Sequence, residues 1–163
     1  MKTNRKKKVL IALDYDPSAQ KVAEVGYSLA KTMGAEAILF HVIADPMYYS
    51  STEHVTIMGF AGYMDTVPTQ LDSHEGLEKT AQHFLDQSKH HLGDEAIITM
   101  VAEGDISESI LKTSKDIDSA IIVMGSHSRK WLENIVMGSV TKTVLLQTLI
   151  PLFIISTRRL EKR

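Results

Sequence analysis

Five short apolar runs divide this chain, at residues 9–13, 37–42, 96–102, 120–124 and 152–155. Each is rich in Ile, Val and Leu, and most lack alternation of apolar with polar residues. Strands covered on both faces read this way, and such strands belong to parallel sheets. Parallel neighbours cannot be joined by a tight turn, so the chain must cross back over the sheet between runs, usually as a helix. The intervening segments meet that demand. Val22, Val25, Gly26, Leu29 and Met33 recur at three- and four-residue spacing, with Asp16 as N-cap, Pro17 as first helical residue and Gly34 as the stop. Leu77, Ala81, Phe84, Leu85, Ser88 and Leu92 form a second stripe, closed by Gly93. Asp105 and Glu108 have the spacing of a capping box, ahead of Ile106, Ile110 and Leu111. Ser139 opens a fourth helical pattern with Val140, Val144 and Leu145 inward, and Pro151 separates it from the last run.

The order is β-α-β-α-β-α-β-α-β. It predicts an α/β fold: a single-domain, doubly wound, five-stranded parallel sheet with helices on both faces, Rossmann-like in kind. The length of 163 residues suits one such domain with a full core. No apolar stretch approaches the roughly 20 residues of a membrane helix, so no membrane insertion is expected. The basic N-terminus is followed by too short an apolar run for an export signal, so the expected location is cytoplasmic. The absence of cysteine excludes disulfides, thiol catalysis and thiolate metal sites. A formal net charge of −2 gives no case for nucleic-acid binding. Basic residues gather in two tails, 1–7 and 158–163, around a domain at 8–157; the tails are either solvated or in contact with an acidic partner. Residues 45–71 show no convincing element yet hold Tyr48, Tyr49, Phe60, Tyr63, Met47, Met58 and Met64. An apolar loop of that length reads either as a lid over a ligand or as a segment packed on its own domain or a second copy.

Ligands of such sheets bind outside the carboxyl ends of the strands. The fourth run ends at Gly125, and Ser126, His127, Ser128, Arg129 and Lys130 follow. Gly138 and Ser139 then lead into the fourth helix, with Val140 and Thr141 behind them. A strand, a polar loop and a glycine at a helix start together present backbone N–H groups and the positive end of a helix dipole, which suits phosphate. Gly125 is read as letting the chain approach a ligand with no side chain in the way. Asp14, just past the first run, has the chemistry to accept hydrogen bonds from ribose hydroxyls.

These residues resemble the universal stress protein family. Its nucleotide-binding members carry Gly-x2-Gly-x9-Gly-(Ser/Thr) after the fourth strand, and Gly125, Gly138 and Ser139 match in place and spacing. The opening Val-Leu-Ile-Ala-Leu-Asp, His41-Val42 at the end of the second strand and Gly104-Asp105-Ile106 after the third match as well. The resemblance implies strand order 3-2-1-4-5 and a homodimer built partly through the last strand. It implies ATP, or ADP or AMP, as ligand, with Mg2+ as a companion of the phosphates. By position, Asp14 would hold the ribose and Val42 would meet the adenine through its backbone. Gly125, His127, Ser128, Gly138, Ser139, Val140 and Thr141 would surround ribose and phosphates, and Arg129 would add charge. Ser128 stands where the family pattern has a glycine. If that position takes a positive φ, serine costs about 1–2 kcal/mol, or up to roughly tenfold in affinity, so binding is expected to persist.

Other clusters read more plainly. His83, His90 and His91 have no third ligand at clear spacing and read as a surface cluster, not a metal site. Ser126-His127-Ser128 are sequence neighbours and do not make a triad. Trp131 reads as packing over the fourth helix or into an interface, and Asp116 with Asp118 as a turn before the fourth strand. The leading expectation is a nucleotide-binding regulatory protein of the stress response with an unidentified protein partner. The competing readings are a slow ATP hydrolase, for which no general base or Walker lysine is evident, and a nucleotide-free adaptor dimer.

Overall fold

A computed structural model describes residues 5–44, 74–126 and 138–157. Residues 45–71 with their aromatic and methionine side chains, the loop residues His127, Ser128, Arg129, Lys130 and Trp131, and most of both basic tails lie outside the described residues.

The strands are β1 (Lys8–Ala12), β2 (Glu36–Ile43), β3 (Ile98–Glu103), β4 (Ile121–Gly125) and β5 (Leu152–Ile155). The helices among the described residues are α1 (Ala19–Thr32), α2 (His74–Leu92), α3 (Ile106–Asp116) and α4 (Ser139–Gln147). All strand pairs are parallel, in the order β3-β2-β1-β4-β5. The doubly wound five-stranded sheet is therefore the fold the alternating runs predict. Its two faces each carry a core. Val9 and Ile11 of β1 point to one side with Ala23 of α1 and Phe84 of α2, while Leu10 points to the other with Ile110 of α3 and Val144 of α4. Apolar residues on both faces of a strand are the reason the runs show no alternation. Among the described residues, no helix is long and apolar enough to cross a membrane.

Helix ends follow local chemistry. Gly34 (φ 61°) and Gly93 (φ 69°) take the left-handed conformation just past α1 and α2, where a side chain would be strained. Asp105 caps α3, its carboxylate accepting from the Glu108 amide at 2.9 Å. Four expectations need correction. Asp16 does not cap α1: the helix starts later, with Ser18 at the cap, and Asp16 Oδ1 instead accepts from the Ser18 amide (2.8 Å) and hydroxyl (2.6 Å) in a turn. β3 begins at Ile98, because Asp94 accepts from the Ala96 amide at 2.9 Å and folds that stretch into a turn. Asp116 is the last residue of α3, paired to Lys112 at 2.7 Å; only Asp118 (φ 55°) turns the chain toward β4. Leu145 is 46% exposed, whereas Thr141 and Val144 are the buried residues of α4. A threonine can face inward there because its hydroxyl donates to the Gly125 carbonyl at 2.9 Å.

Candidate functional site

The winding reverses between β1 and β4: the chain steps outward from β1 to β2 and β3, then resumes on the other side with β4 and β5. Crevices open at such a point, above the carboxyl ends of the strands. A cavity of about 190 Å³ lies there. The exit of β1 supplies Asp14 and Tyr15, and the end of β2 supplies His41 and Val42. Gly125 comes from the end of β4, and Gly138, Ser139, Val140 and Thr141 from the start of α4. Phe40, Met124, Ile106 and Ile110 make the wall apolar.

Several contacts hold these pieces together. The Leu13 amide donates to the Phe40 carbonyl at 2.8 Å, which keeps the exit of β1 against β2. The Gly138 amide donates to the Ser126 carbonyl at 2.8 Å, so the two ends of the stretch between β4 and α4 are clasped. Ser126 is fastened to the exit of β5 as well: its amide donates to the Ile155 carbonyl at 2.8 Å and its hydroxyl accepts from the Thr157 amide at 3.1 Å. Lys21 of α1 donates to the Ser156 carbonyl at 2.6 Å beside this junction. The Thr141 bond to Gly125 joins α4 directly to the last residue of β4.

The two glycines have different reasons. A Cβ on Gly125 would lie 3.1 Å from Val22 Cγ2 and 3.1 Å from Thr157 Cγ2. The space beside Gly125 is thus taken by the protein's own side chains, which differs from the expectation that a ligand needs it. Gly138 has an ordinary extended backbone (φ −65°, ψ 156°) and sits at the N-cap of α4. A glycine there brings no side-chain oxygen to the first helical amides, and no acidic residue occupies the first turn.

Of the site residues read from sequence, Asp14, Val42, Gly125, Gly138, Ser139, Val140 and Thr141 all line this one cavity. His127, Ser128 and Arg129 lie outside the described residues. The histidine cluster of α2 is elsewhere: His91 pairs with Glu24 of α1 at 2.9 Å. Sequence reasoning did not place Tyr15, His41, Phe40, Met124, Ile106 or Ile110 in the site. The one available signal was His41, a polar residue inside an otherwise apolar run.

A doubly wound parallel sheet with its cavity at the switch point places the molecule among α/β proteins that take ligands outside the carboxyl ends of their strands. Within that class, the chain belongs to the universal stress protein family, whose family model matches residues 6–156. It is 28% identical over 156 residues to Universal stress protein MJ0577 of Methanocaldococcus jannaschii, an alignment covering 93% of this chain and 96% of that protein. The solved structure of MJ0577 superposes with a TM-score of 0.66 at 25% identity, covering 94% of this chain and 98% of that one. A universal stress protein crystallised in complex with cAMP shares the fold at a TM-score of 0.60 and 13% identity, covering 94% of this chain and 98% of that one.

Proposed function

We propose that this chain binds an adenine nucleotide, ATP or else ADP or AMP, in the cavity between β1 and β4, and acts as a cytoplasmic regulatory homodimer in a stress response. One observation carries the reading: both ends of the glycine motif, Gly125 and residues 138–141, line the same cavity as Asp14 and Val42. In this reading Asp14 accepts from the ribose hydroxyls and the Val42 backbone meets the adenine edge. The apolar wall of Phe40, Met124, Ile106 and Ile110 gives the base a surface to leave water for. The first amides of α4, uncovered by any cap side chain, receive phosphate oxygens. Thr141 contributes through its main chain, since its hydroxyl proton is committed to Gly125. His127, Ser128 and Arg129 would complete the phosphate side, and Mg2+ would be held mainly through phosphate oxygens and water. The cAMP-bound fold neighbour is compatible with this ligand class.

The homodimer reading rests on the sheet edge. β5 is an edge strand, and Phe153 on it is 40% exposed. Leu146 (74% exposed) and Leu149 (101% exposed), shortly before β5 in the chain, are exposed apolar residues as well. An apolar edge of this kind calls for a cover, and a second copy pairing along β5 supplies one.

The test is calorimetric titration of the purified chain with ATP, joined to mass spectrometry of nucleotide released on denaturation. Asp14→Ala and Gly138→Val are expected to abolish or strongly weaken binding while the fold melts cooperatively. No heat and no thermal shift at millimolar ATP would overturn the reading. Light scattering of Phe153→Glu, expected to be monomeric, tests the dimer separately.

A further inference from the structure

His41 is a buried titratable group to which the reading above gives no task. It is 4% exposed, lies in the second strand and lines the cavity beside Tyr15. Its Nδ1 stands 2.7 Å from the Leu13 carbonyl oxygen. A carbonyl only accepts, so Nδ1 carries the proton and donates. β1 ends at Ala12, and the Leu13 amide just past it still donates to the Phe40 carbonyl at 2.8 Å. The imidazole adds a hold on the other side of Leu13, at its carbonyl.

The peptide bond passes that restraint on. The Leu13 carbonyl shares one rigid plane with the amide and Cα of Asp14. Fixing the oxygen fixes the direction in which Asp14 departs. The other neighbour of Asp14 is held by the same imidazole: the Tyr15 ring lies on His41 with centroids 4.3 Å apart. Phe84 of α2 meets both rings edge-on, at 5.1 Å from Tyr15 and 5.7 Å from His41. Leu13 (5% exposed) and Tyr15 (3%) are buried, while Asp14 between them is exposed at the cavity. One histidine thus grips the chain on each side of a solvent-facing carboxylate.

We propose that His41 is a positioning residue for Asp14, and that through it the cavity distinguishes ligands carrying ribose hydroxyls from ligands without them. This rests on the reading of Asp14 as the ribose acceptor. The carboxylate needs a set direction to meet vicinal hydroxyls, and the imidazole bond fixes the Leu13 carbonyl plane from which that direction starts, beside the hold of the Phe40 carbonyl on the Leu13 amide. In this reading the phosphate contacts come from the start of α4, and the base contact comes from the Val42 backbone and not from the imidazole, so loss of His41 falls chiefly on the sugar.

The experiment compares ATP with 2′,3′-dideoxy-ATP on the full chain, His41→Leu and His41→Asn, by calorimetry. The unaltered chain is expected to prefer ATP by about tenfold or more, the worth of a hydrogen bond to a charged group. His41→Leu is expected to lose most of that preference, its affinity for ATP falling several-fold further than its affinity for the dideoxy nucleotide. His41→Asn is expected to keep much of it, because its amide nitrogen stands at the same bond distance from the backbone as Nδ1. A His41→Leu chain that keeps the preference, or loses affinity for both nucleotides alike, overturns the proposal. If the unaltered chain binds neither nucleotide, the adenine-nucleotide reading fails, and His41 is judged by NMR. The Asp14 amide signal is then expected to move in His41→Leu and return toward its original position in His41→Asn; a signal that stays put overturns the positioning role. Should His41→Leu fail to fold, the unaltered chain still decides: an imidazole protonated at Nε2 alone cannot bond Leu13, and finding it overturns the proposal.

Discussion

Two helices start at the same edge of the sheet, α3 after β3 and α4 after β4, and their caps differ in one respect. The cap residues have nearly the same backbone, φ −64° and ψ 130° at Asp105 against φ −65° and ψ 156° at Gly138. Asp105 places a carboxylate on the Glu108 amide and thereby neutralises its helix start. Gly138 brings nothing, and the first turn of α4 has no acid. The α3 start is closed by its own chain, while the α4 start faces the cavity with its amides uncapped by any side chain of the cap residue. What separates a structural helix end from a candidate anion site is thus the absence of a side chain, not a special backbone angle.

The comparison breaks most sharply at Gly138→Asp, which gives α4 the cap that α3 already has. The expected results have opposite signs: nucleotide affinity falls by at least roughly a hundredfold, because a fixed carboxylate takes the amides and repels phosphate. The nucleotide-free chain gains a few tenths of a kcal/mol, about 0.3, from the new cap, since glycine is already a fair cap residue. Calorimetry and thermal melting on one preparation check both, and a joint fall would show that the α4 start does not accept a cap. Gly125→Ala comes next. Its Cβ meets Val22 and Thr157 at 3.1 Å, so about 1–3 kcal/mol of stability should be lost with or without nucleotide. Denaturant unfolding measures it. Asp105→Ala opens the α3 start, and about 1 kcal/mol, or some 2–4 °C in Tm, should go while nucleotide affinity stays put.

The smallest effect concerns α2, whose start is tied to β3 by His74 and Glu103 at 2.6 Å. Hydrogen bonding to Glu103, and then its charge, raise the His74 pKa above 6.5. A raised folded value means the contribution is complete below pH 6.5, the unfolded value, and is lost as pH rises through the folded one. Because the pair is exposed, the difference in Tm between the chain and His74→Gln should shrink by only about a degree across that rise.

The fold was legible because the crossover rule leaves few ways to arrange five doubly covered runs. The site was legible in part because loops at strand ends carry ligand chemistry, so Asp14 and residues 138–141 could be named from position and type. Side-chain direction was not. Leu145 and Thr141 exchange the places that hydropathy assigns them, since a hydroxyl that finds the Gly125 carbonyl is as much at home inside as a leucine. Gly125 looked like a ligand's clearance and is instead a fit to Val22 and Thr157, residues far from it in sequence. His41 escaped notice as a working residue because its polarity inside an apolar run does not name a partner, and that partner, the Leu13 carbonyl, lies past the end of another strand.

The clasp between the Ser126 carbonyl and the Gly138 amide has an evolutionary meaning. It makes the chain between them a closed ring hung from a fixed hook, and the entropy of closing a ring rises only by about 0.6 kcal/mol for each doubling of its length. Insertions there are therefore cheap for the fold, and the hook keeps Gly125 and the start of α4 in register. Diversification between relatives, or the grafting of a foreign peptide by design, has at this point a place where length can change at little cost to the fold, while nucleotide affinity changes with whatever replaces His127, Ser128 and Arg129.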